Sequence, residues 1–138
     1  MDVFTFTHLS RCRPGSFLIR SAADPRLFWH VCGSDVSITQ MNPTPFRIRA
    51  VDYEQENGSP GTVMIGSDRV LIDDMAQERG IEWNRVGSRL YLTTAPHGQQ
   101  GQAFQLSDLL YNPRFAVNDC EQIYMLPEGQ KGQLWELV

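Results

Sequence analysis

Two stretches of the chain combine a carboxylate with aromatic rings and with amide or imidazole groups. The first set is Asp24, Trp29, His30 and Asn42. The second set is Asp108, Tyr111, Asn112 and Asn118. A carboxylate accepts two hydroxyl hydrogen bonds, and an aromatic face stacks on the apolar C–H side of a sugar ring. Such residues more often have a purely structural role than a binding role. In that case Trp29 is a core residue, and Asp24-Pro25 only forms a turn.

The single lysine of the chain, Lys131, lies in Glu128-Gly129-Gln130-Lys131-Gly132, between two expected strands of the last hairpin. A basic residue on an exposed, braced loop suits a trypsin-like S1 pocket, whose Asp pairs with Lys or Arg. Arg13 is a second candidate for such a loop, although Pro14 hinders a substrate-like fit. The simpler interpretation of Lys131 is a solvated turn residue, because surface loops carry charge for solubility as well as for function.

Catalytic chemistry has little support in the sequence. The three histidines, His8, His30 and His97, lie on separate segments without metal-ligand spacing. No nucleophile elbow, phosphate-binding loop or zinc-protease motif is present. Cys32 lies two residues after His30, and therefore on the same face of a strand, which favours packing over a catalytic dyad. The sequence predicts a protein that is not an enzyme and that binds no cofactor and no metal.

The elements that must position these residues are short strands separated by turns. Residues 15–51 contain four runs of aromatic and β-branched residues, bounded by Ala-Asp-Pro, Gly-Ser-Asp and Asn-Pro-Thr-Pro. The predicted strands are Phe17–Ser21, Leu27–Cys32, Val36–Thr39 and Phe46–Val51. No segment keeps a helical periodicity over the dozen or so residues of a stable helix. The sequence therefore predicts an all-β fold.

The strand pattern recurs along the chain. Gly-Ser-Phe-Leu-Ile at residue 15 returns as GTVMI at 61 and GSRLY at 87, and aromatic closing strands recur at 45–51, 82–86 and 134–138. This predicts one domain, 1–138, with units at about 15–53, 61–86 and 87–138 and an N-terminal arm or strand at 1–14. Residues 103–126 also resemble 16–39, so that the first strand of the third unit is either RLYLTT or AFQLSDL.

A threefold array of four-strand units resembles the β-trefoil fold, and most of all the small ricin-B-type lectins of mushrooms and the related trefoil protease inhibitors. The resemblance covers about residues 15–138 and implies a six-stranded barrel capped by three hairpins. Phe46, Trp83 and Trp135 would then fill the barrel in one layer. The Gln-x-Trp motif of the ricin-B group occurs once, at Gln133-Leu134-Trp135. In the resembling family an acidic residue, an aromatic platform and an amide or imidazole form the sugar site, which is the expected role of the two sets above.

Composition narrows the range of partners. The formal net charge of −4 argues against a general nucleic-acid binder. The N-terminus lacks the pattern of a secretory signal, and no run approaches the roughly 20 apolar residues of a membrane-spanning helix. We expect a cytoplasmic protein without membrane insertion, with secretion by another route left open. The cysteines, Cys12, Cys32 and Cys120, are expected to be reduced thiols, with a Cys12–Cys32 or Cys32–Cys120 disulfide as the alternative.

Three functional hypotheses follow. The first is a lectin-like protein that binds glycans or glycoproteins through one or two shallow sites, with a defensive role implied by the resemblance. The second is a protease inhibitor that acts through an exposed loop carrying Lys131 or Arg13. The third is a protein–protein interaction domain, and a homodimer would suit it and would also raise the avidity of a lectin.

Overall fold

The computed structural model describes residues 16–51, 68–84, 88–93 and 102–138, and the backbone of two strands at 3–5 and 63–65. The protein is all-β, as predicted. The strands are β1 (Val3–Thr5), β2 (Ser16–Phe17), β3 (Ile19–Ser21), β4 (Phe28–Cys32), β5 (Asp35–Thr39), β6 (Phe46–Ala50), β7 (Val63–Ile65), β8 (Arg69–Asp74), β9 (Arg79–Trp83), β10 (Leu90–Leu92), β11 (Phe104–Gln105), β12 (Phe115–Val117), β13 (Ile123–Met125) and β14 (Trp135–Leu137). One short helix, α1 (Ser107–Leu110), interrupts them. Within these residues no helix has the length and apolar character needed to cross a membrane.

Nine strands form a nearly closed antiparallel barrel in the order β14-β3-β4-β5-β10-β9-β8-β6-β2. The two ends of this order adjoin, because β2 and β3 are consecutive in the chain and only Leu18 separates them. Leu18 and Val138 exchange two backbone hydrogen bonds of 3.0 Å, which continue the ladder between β3 and β14. Short β11 pairs with β8 beside this path. The pairing leaves little of the sheet edge exposed to other chains.

Three hairpins, β4–β5, β9–β10 and β12–β13, contact one another pairwise. Tyr91 of β10 pairs with Asp35 of β5. Single bridges join Ser37 to Gln122 and Arg89 to Tyr124, and these link β5 and β10 to the third hairpin. All three hairpins therefore meet on one side of the protein.

An aromatic cluster fills the interior. Trp29 of β4 is completely buried and makes edge-to-face contacts with Phe46, Phe115 and Trp135, with ring centroids 6.2, 5.5 and 5.6 Å apart. Phe104 extends the cluster through Phe115, at 5.5 Å. Edge-to-face geometry directs the positive ring edge at the negative face, which adds to the stabilisation from burial.

The interior layer predicted from Phe46, Trp83 and Trp135 is correct at two positions and wrong at Trp83. Phe46 and Trp135 are buried, whereas Trp83 is only partly buried and packs at the margin of the core. Phe104 of β11 is buried in the aromatic cluster instead. Trp83 therefore keeps part of its surface exposed.

The four strands predicted in residues 15–51 are confirmed to within one residue, apart from the break at Leu18. The later pattern differs more. Leu90–Leu92 lies in one of the two segments expected to open a third unit, and it pairs with β9. The segment AFQLSDL is a strand only at Phe104–Gln105 and then turns into α1. Leu106 and Leu109 are both buried, and their three-residue spacing puts them on one face of a helical turn.

Replacing Trp29 with Ala should destabilise the protein by about 3–5 kcal/mol, because the substitution leaves a cavity where three rings meet. The measurement is chemical denaturation followed by far-ultraviolet circular dichroism. Met41→Ala is the control, since Met41 is 84% exposed and its truncation should change the free energy of unfolding by no more than about 0.5 kcal/mol. A loss below about 1 kcal/mol for Trp29→Ala would contradict the central role of this ring.

Candidate functional site

A cavity of about 500 Å³ lies between the α1 region and the loop that precedes β14. We call it the polar cavity. Its lining residues are Gln105, Ser107, Asp108, Tyr111, Asn112, Pro113, Arg114, Glu128, Gly129, Gln130 and Lys131. The volume lies in the range typical of small-molecule sites. The cavity brings together three of the four residues predicted for the second sugar set, and Lys131 joins them.

Asp108 is the buried acid of this cavity. It lies in α1 and is 6% exposed, and its Oδ2 accepts a 3.0 Å hydrogen bond from the backbone N–H of Gln105. Burial raises the pKa of this carboxyl, while the Gln105 hydrogen bond and the positive charge of Arg114 lower it less strongly. No salt bridge to Asp108 occurs within the described ranges. The carboxylate is thus poorly solvated, a state that favours acceptance of hydrogen bonds from a bound ligand.

Arg114 is a cavity residue that was not predicted. Its guanidinium Nη2 donates a 2.9 Å hydrogen bond to the carbonyl oxygen of Leu126, while its Nε is buried without a hydrogen-bond partner in the described protein. Its backbone N–H donates to the carbonyl of Asp108 at 3.0 Å. The available signal was the Pro-Arg pair that each of the two similar stretches contains, Pro25-Arg26 and Pro113-Arg114.

Lys131 is exposed on the loop that forms the other wall of the polar cavity. Its neighbour Gly132 fixes the loop to the barrel, because its N–H donates to the carbonyl of Pro113 at 2.8 Å. A Cβ at Gly132 would lie 2.6 Å from the carbonyl oxygen of Phe115, so only glycine fits there without a backbone shift. Gln130 also donates to the carbonyl of Pro127 at 3.1 Å. The loop is therefore braced on both sides of its lysine.

The first predicted sugar set does not form a comparable site. The indole of Trp29 is buried, so the prediction that it stacks on a sugar is wrong. His30 follows Trp29 in β4 and therefore lies on the opposite face of the strand, away from the core. Asn42 is exposed in the loop before β6, where its N–H is 3.4 Å from the hydroxyl oxygen of Thr39.

Asp24 is held by an arginine. The Arg26 guanidinium donates to both of its carboxylate oxygens, each at 3.0 Å, and this bidentate pair lowers the pKa of Asp24. The Asp24 N–H also donates to the hydroxyl of Ser21, and Leu27 donates to the Asp24 carbonyl. The predicted alternative, in which Asp24-Pro25 forms a turn, agrees with this geometry.

Asn118 of the second set has a structural role in the β12–β13 turn. Its Oδ1 accepts the backbone N–H groups of Cys120 and Gln122, at 2.8 and 3.0 Å, and its Nδ2 donates to the Gln122 side chain. It does not line the polar cavity. Arg13, the second candidate for an inhibitory loop, lies outside the described residues, as do His8, Cys12 and His97.

Other polar side chains in the described residues form hydrogen bonds within the barrel strands and their turns. Asp73 is buried on β8 and accepts a 2.8 Å hydrogen bond from the Nε of Arg49 on the adjacent β6. Asp74 accepts the N–H of Ala76 at 2.8 Å in the turn that follows. Among the described residues, no three His, Cys, Asp or Glu side chains are grouped to hold a metal ion. Cys32 and Cys120 are both free thiols.

No family model matches this chain, and no curated protein or solved structure matches it either. The function must therefore be argued from the chemistry of the site and not from relatives. The polar cavity is the candidate site, because it combines a desolvated acceptor, amide groups, an aromatic residue and two cationic side chains.

Titration of the carboxyl groups by NMR should show that the pKa values of Asp108 and Asp24 lie on opposite sides of the ordinary value for Asp. Asp108 should titrate at a raised pKa because of burial, and Asp24 at a lowered pKa because of Arg26. Arg26→Gln should raise the pKa of Asp24 and leave that of Asp108 unchanged. An Asp108 that titrates at or below the pKa of Asp24 would contradict this electrostatic account.

The raised pKa of Asp108 also sets the sign of its effect on stability. The folded protein takes up this proton at a higher pH than the unfolded chain, so acidification through the raised pKa favours folding at this residue. Above that pKa the buried charge of the carboxylate destabilises the folded state. We therefore expect Asp108→Asn to be at least as stable as the parent protein at pH 7 by chemical denaturation. A marked loss of stability in this variant would contradict the claim that the charge of Asp108 destabilises the folded protein.

Proposed function

We propose that the protein is a carbohydrate-binding, lectin-like protein with one site in the polar cavity. The observation that carries this proposal is the convergence of Asp108, Tyr111 and Asn112 on a cavity of about 500 Å³. These groups supply a carboxylate acceptor, an aromatic ring and an amide that both donates and accepts. Sugar rings need this combination, because they present hydroxyl groups at their edges and C–H groups on their faces.

The charges of the cavity favour a neutral polyol. Two acidic residues, Asp108 and Glu128, balance two basic ones, Arg114 and Lys131, in its lining. A strongly anionic or cationic ligand would meet like charges on one side or the other. Hydroxyl groups, in contrast, can accept from the cations and donate to the carboxylates at the same time.

We further propose that the barrel and its hairpins form a β-trefoil whose three units end in β6, β11 and β14. The end strands each carry one buried aromatic residue: Phe46, Phe104 and Trp135. The pairwise contact of the three hairpins also supports a threefold arrangement. On this view the second unit includes both β9 and β10, and the third begins near α1.

A repeated polar contact supports the same arrangement. Two positions before Phe46, the hydroxyl oxygen of Thr44 accepts the backbone N–H of Val31 in β4 at 2.9 Å. Two positions before Phe104, the side-chain oxygen of Gln102 accepts the backbone N–H of Trp83 in β9, also at 2.9 Å. Gln102-Ala103-Phe104 is a second Gln-x-aromatic sequence beside Gln133-Leu134-Trp135, and it supports the proposed trefoil.

Asp108→Asn should weaken glycan binding by at least about tenfold. A hydrogen bond to a charged acceptor contributes about 1.5–3 kcal/mol, and 1.4 kcal/mol corresponds to a tenfold change in Kd. A glycan array identifies the ligand, and titration calorimetry then measures Kd for the parent protein and the variant. Asn keeps a side-chain oxygen for the Gln105 N–H, so the local fold should survive.

Asp24→Asn is the matched control for this substitution, because Asp24 is already bound by Arg26. Its Kd should stay within about twofold of the parent value, because Asp24 does not line the polar cavity. Binding by the parent protein should also weaken as the pH falls through the raised pKa of Asp108, because a protonated carboxyl loses acceptor capacity. Wild-type affinity in Asp108→Asn, or loss of binding in Asp24→Asn alone, would place the site elsewhere.

A second candidate function, protease inhibition, is favoured by the bracing of the Lys131 loop. The Gly132 N–H donates to the Pro113 carbonyl and the Gln133 N–H to the Phe115 carbonyl, and Lys131 is exposed on the loop that they anchor. A rigid loop loses little conformational entropy when a protease binds it, which is the basis of tight inhibition. Lys131 would enter an S1 pocket that pairs with a basic side chain.

Lys131→Ala tests this alternative against trypsin. If the loop inhibits, the variant should lose about a hundredfold or more in inhibition constant, as expected for an anchor residue at an interface, and Lys131→Arg should retain inhibition. Asp108→Asn serves as the cross-control, since it should impair glycan binding and leave inhibition intact. Full inhibition by Lys131→Ala would reject this loop.

A further inference from the structure

A second cavity adjoins the polar cavity. It has a volume of about 200 Å³ and is lined by Trp83, Ser88, Arg114, Met125, Leu126 and Pro127. We call it the tryptophan cavity. Arg114 lines both cavities, so they are separated by no more than the span of one residue.

One loop also connects the two cavities. Leu126 and Pro127 line the tryptophan cavity, and the next residues, Glu128 to Lys131, line the polar cavity. The Arg114 guanidinium is tied to this loop by its hydrogen bond to the Leu126 carbonyl, at 2.9 Å. The two cavities thus share Arg114 and adjoining segments of one loop.

The lining of the tryptophan cavity is amphipathic. Trp83, Met125, Leu126 and Pro127 provide apolar surface, while Ser88 and Arg114 provide a hydroxyl and a guanidinium. A pyranose ring has the matching distribution, with C–H groups on its face and hydroxyls around its edge. Trp83 is also the one tryptophan of the three that retains accessible surface, since Trp29 and Trp135 are 0% and 2% exposed.

We propose that the tryptophan cavity is a second sugar subsite that takes the next ring of an oligosaccharide whose first ring occupies the polar cavity. This inference rests on the carbohydrate-binding function proposed above. It makes the protein selective for oligosaccharides over single sugars. Arg114 contacts both rings, and Trp83 supplies the apolar surface for the second.

The experiment compares single sugars with their disaccharides on the full-length protein. The probes are glucose, galactose, mannose and N-acetylglucosamine, each beside a disaccharide built from the same unit. The matching disaccharide should bind about tenfold tighter than the monosaccharide, which is the order expected from one added aromatic contact. It should also protect tryptophan fluorescence from iodide quenching, whereas the monosaccharide should not.

Two variants assign the gain to this cavity. Trp83→Leu keeps an apolar side chain at the core margin and should bring the ratio of disaccharide to monosaccharide affinity close to one. Leu126→Ala leaves the Arg114–Leu126 backbone contact in place and should reduce the ratio about threefold by removal of apolar contact. Leu134→Ala is the control: Leu134 is 44% exposed and lines neither cavity, so the ratio should be retained.

The outcomes separate this inference from the proposed function. If monosaccharide binding depends on Asp108 but disaccharides bind no tighter, the function stands and the subsite is rejected. An undiminished disaccharide gain in Trp83→Leu also rejects it, and Leu126→Ala decides in the same way if Trp83→Leu folds poorly. If none of the probes nor any arrayed glycan binds, the proposed function and the subsite fall together.

Discussion

The structure depends on one segment that hydrogen-bonds on both sides. Residues 16–21 pair with β6 through β2 and with β14 through β3, and so join the first strands of the chain to its last. Without this double pairing, β6 and β14 would both present unpaired backbone groups to solvent and to other chains. The break at Leu18 divides the segment between two partners, and Leu18 itself bonds to Val138. Closure in turn encloses Trp29 and its aromatic neighbours.

The candidate site exists because the chain departs from the strand pattern after β11. A strand would put Leu106 and Leu109 on opposite faces, but the helical turn of α1 buries both. The same turn carries Asp108 into a poorly solvated position, which raises its pKa. Burial of a charge is unfavourable for folding, and such positions cluster at functional sites more often than elsewhere. The unfavourable burial of the Asp108 carboxylate is thus an argument for binding at this residue.

Local patterns predicted the first third of the fold well, because its strands are bounded by turn residues and filled by β-branched and aromatic side chains. They could not distinguish Trp29 from Trp83. Both lie in short strands, and only the pairing of distant strands decides which ring is enclosed. The sequence likewise identified Asp108, Tyr111 and Asn112 as neighbours, but not the wall formed by Glu128 to Lys131. That wall arises from contacts such as Gly132 to Pro113, which no local pattern encodes.

The two similar stretches of the chain hold their acidic residues in different ways. In the first, Asp24 stands two residues before Arg26, and the two side chains form a bidentate pair that occupies the carboxylate. In the second, the acid lies six residues before Arg114, and the guanidinium turns to the Leu126 carbonyl instead. The positive charge of Arg114 still lowers the pKa of Asp108, whose Oδ2 accepts the backbone N–H of Gln105 and whose side chain lines the polar cavity. With the shorter spacing the acid and the arginine close a turn, and with the longer spacing both line the polar cavity.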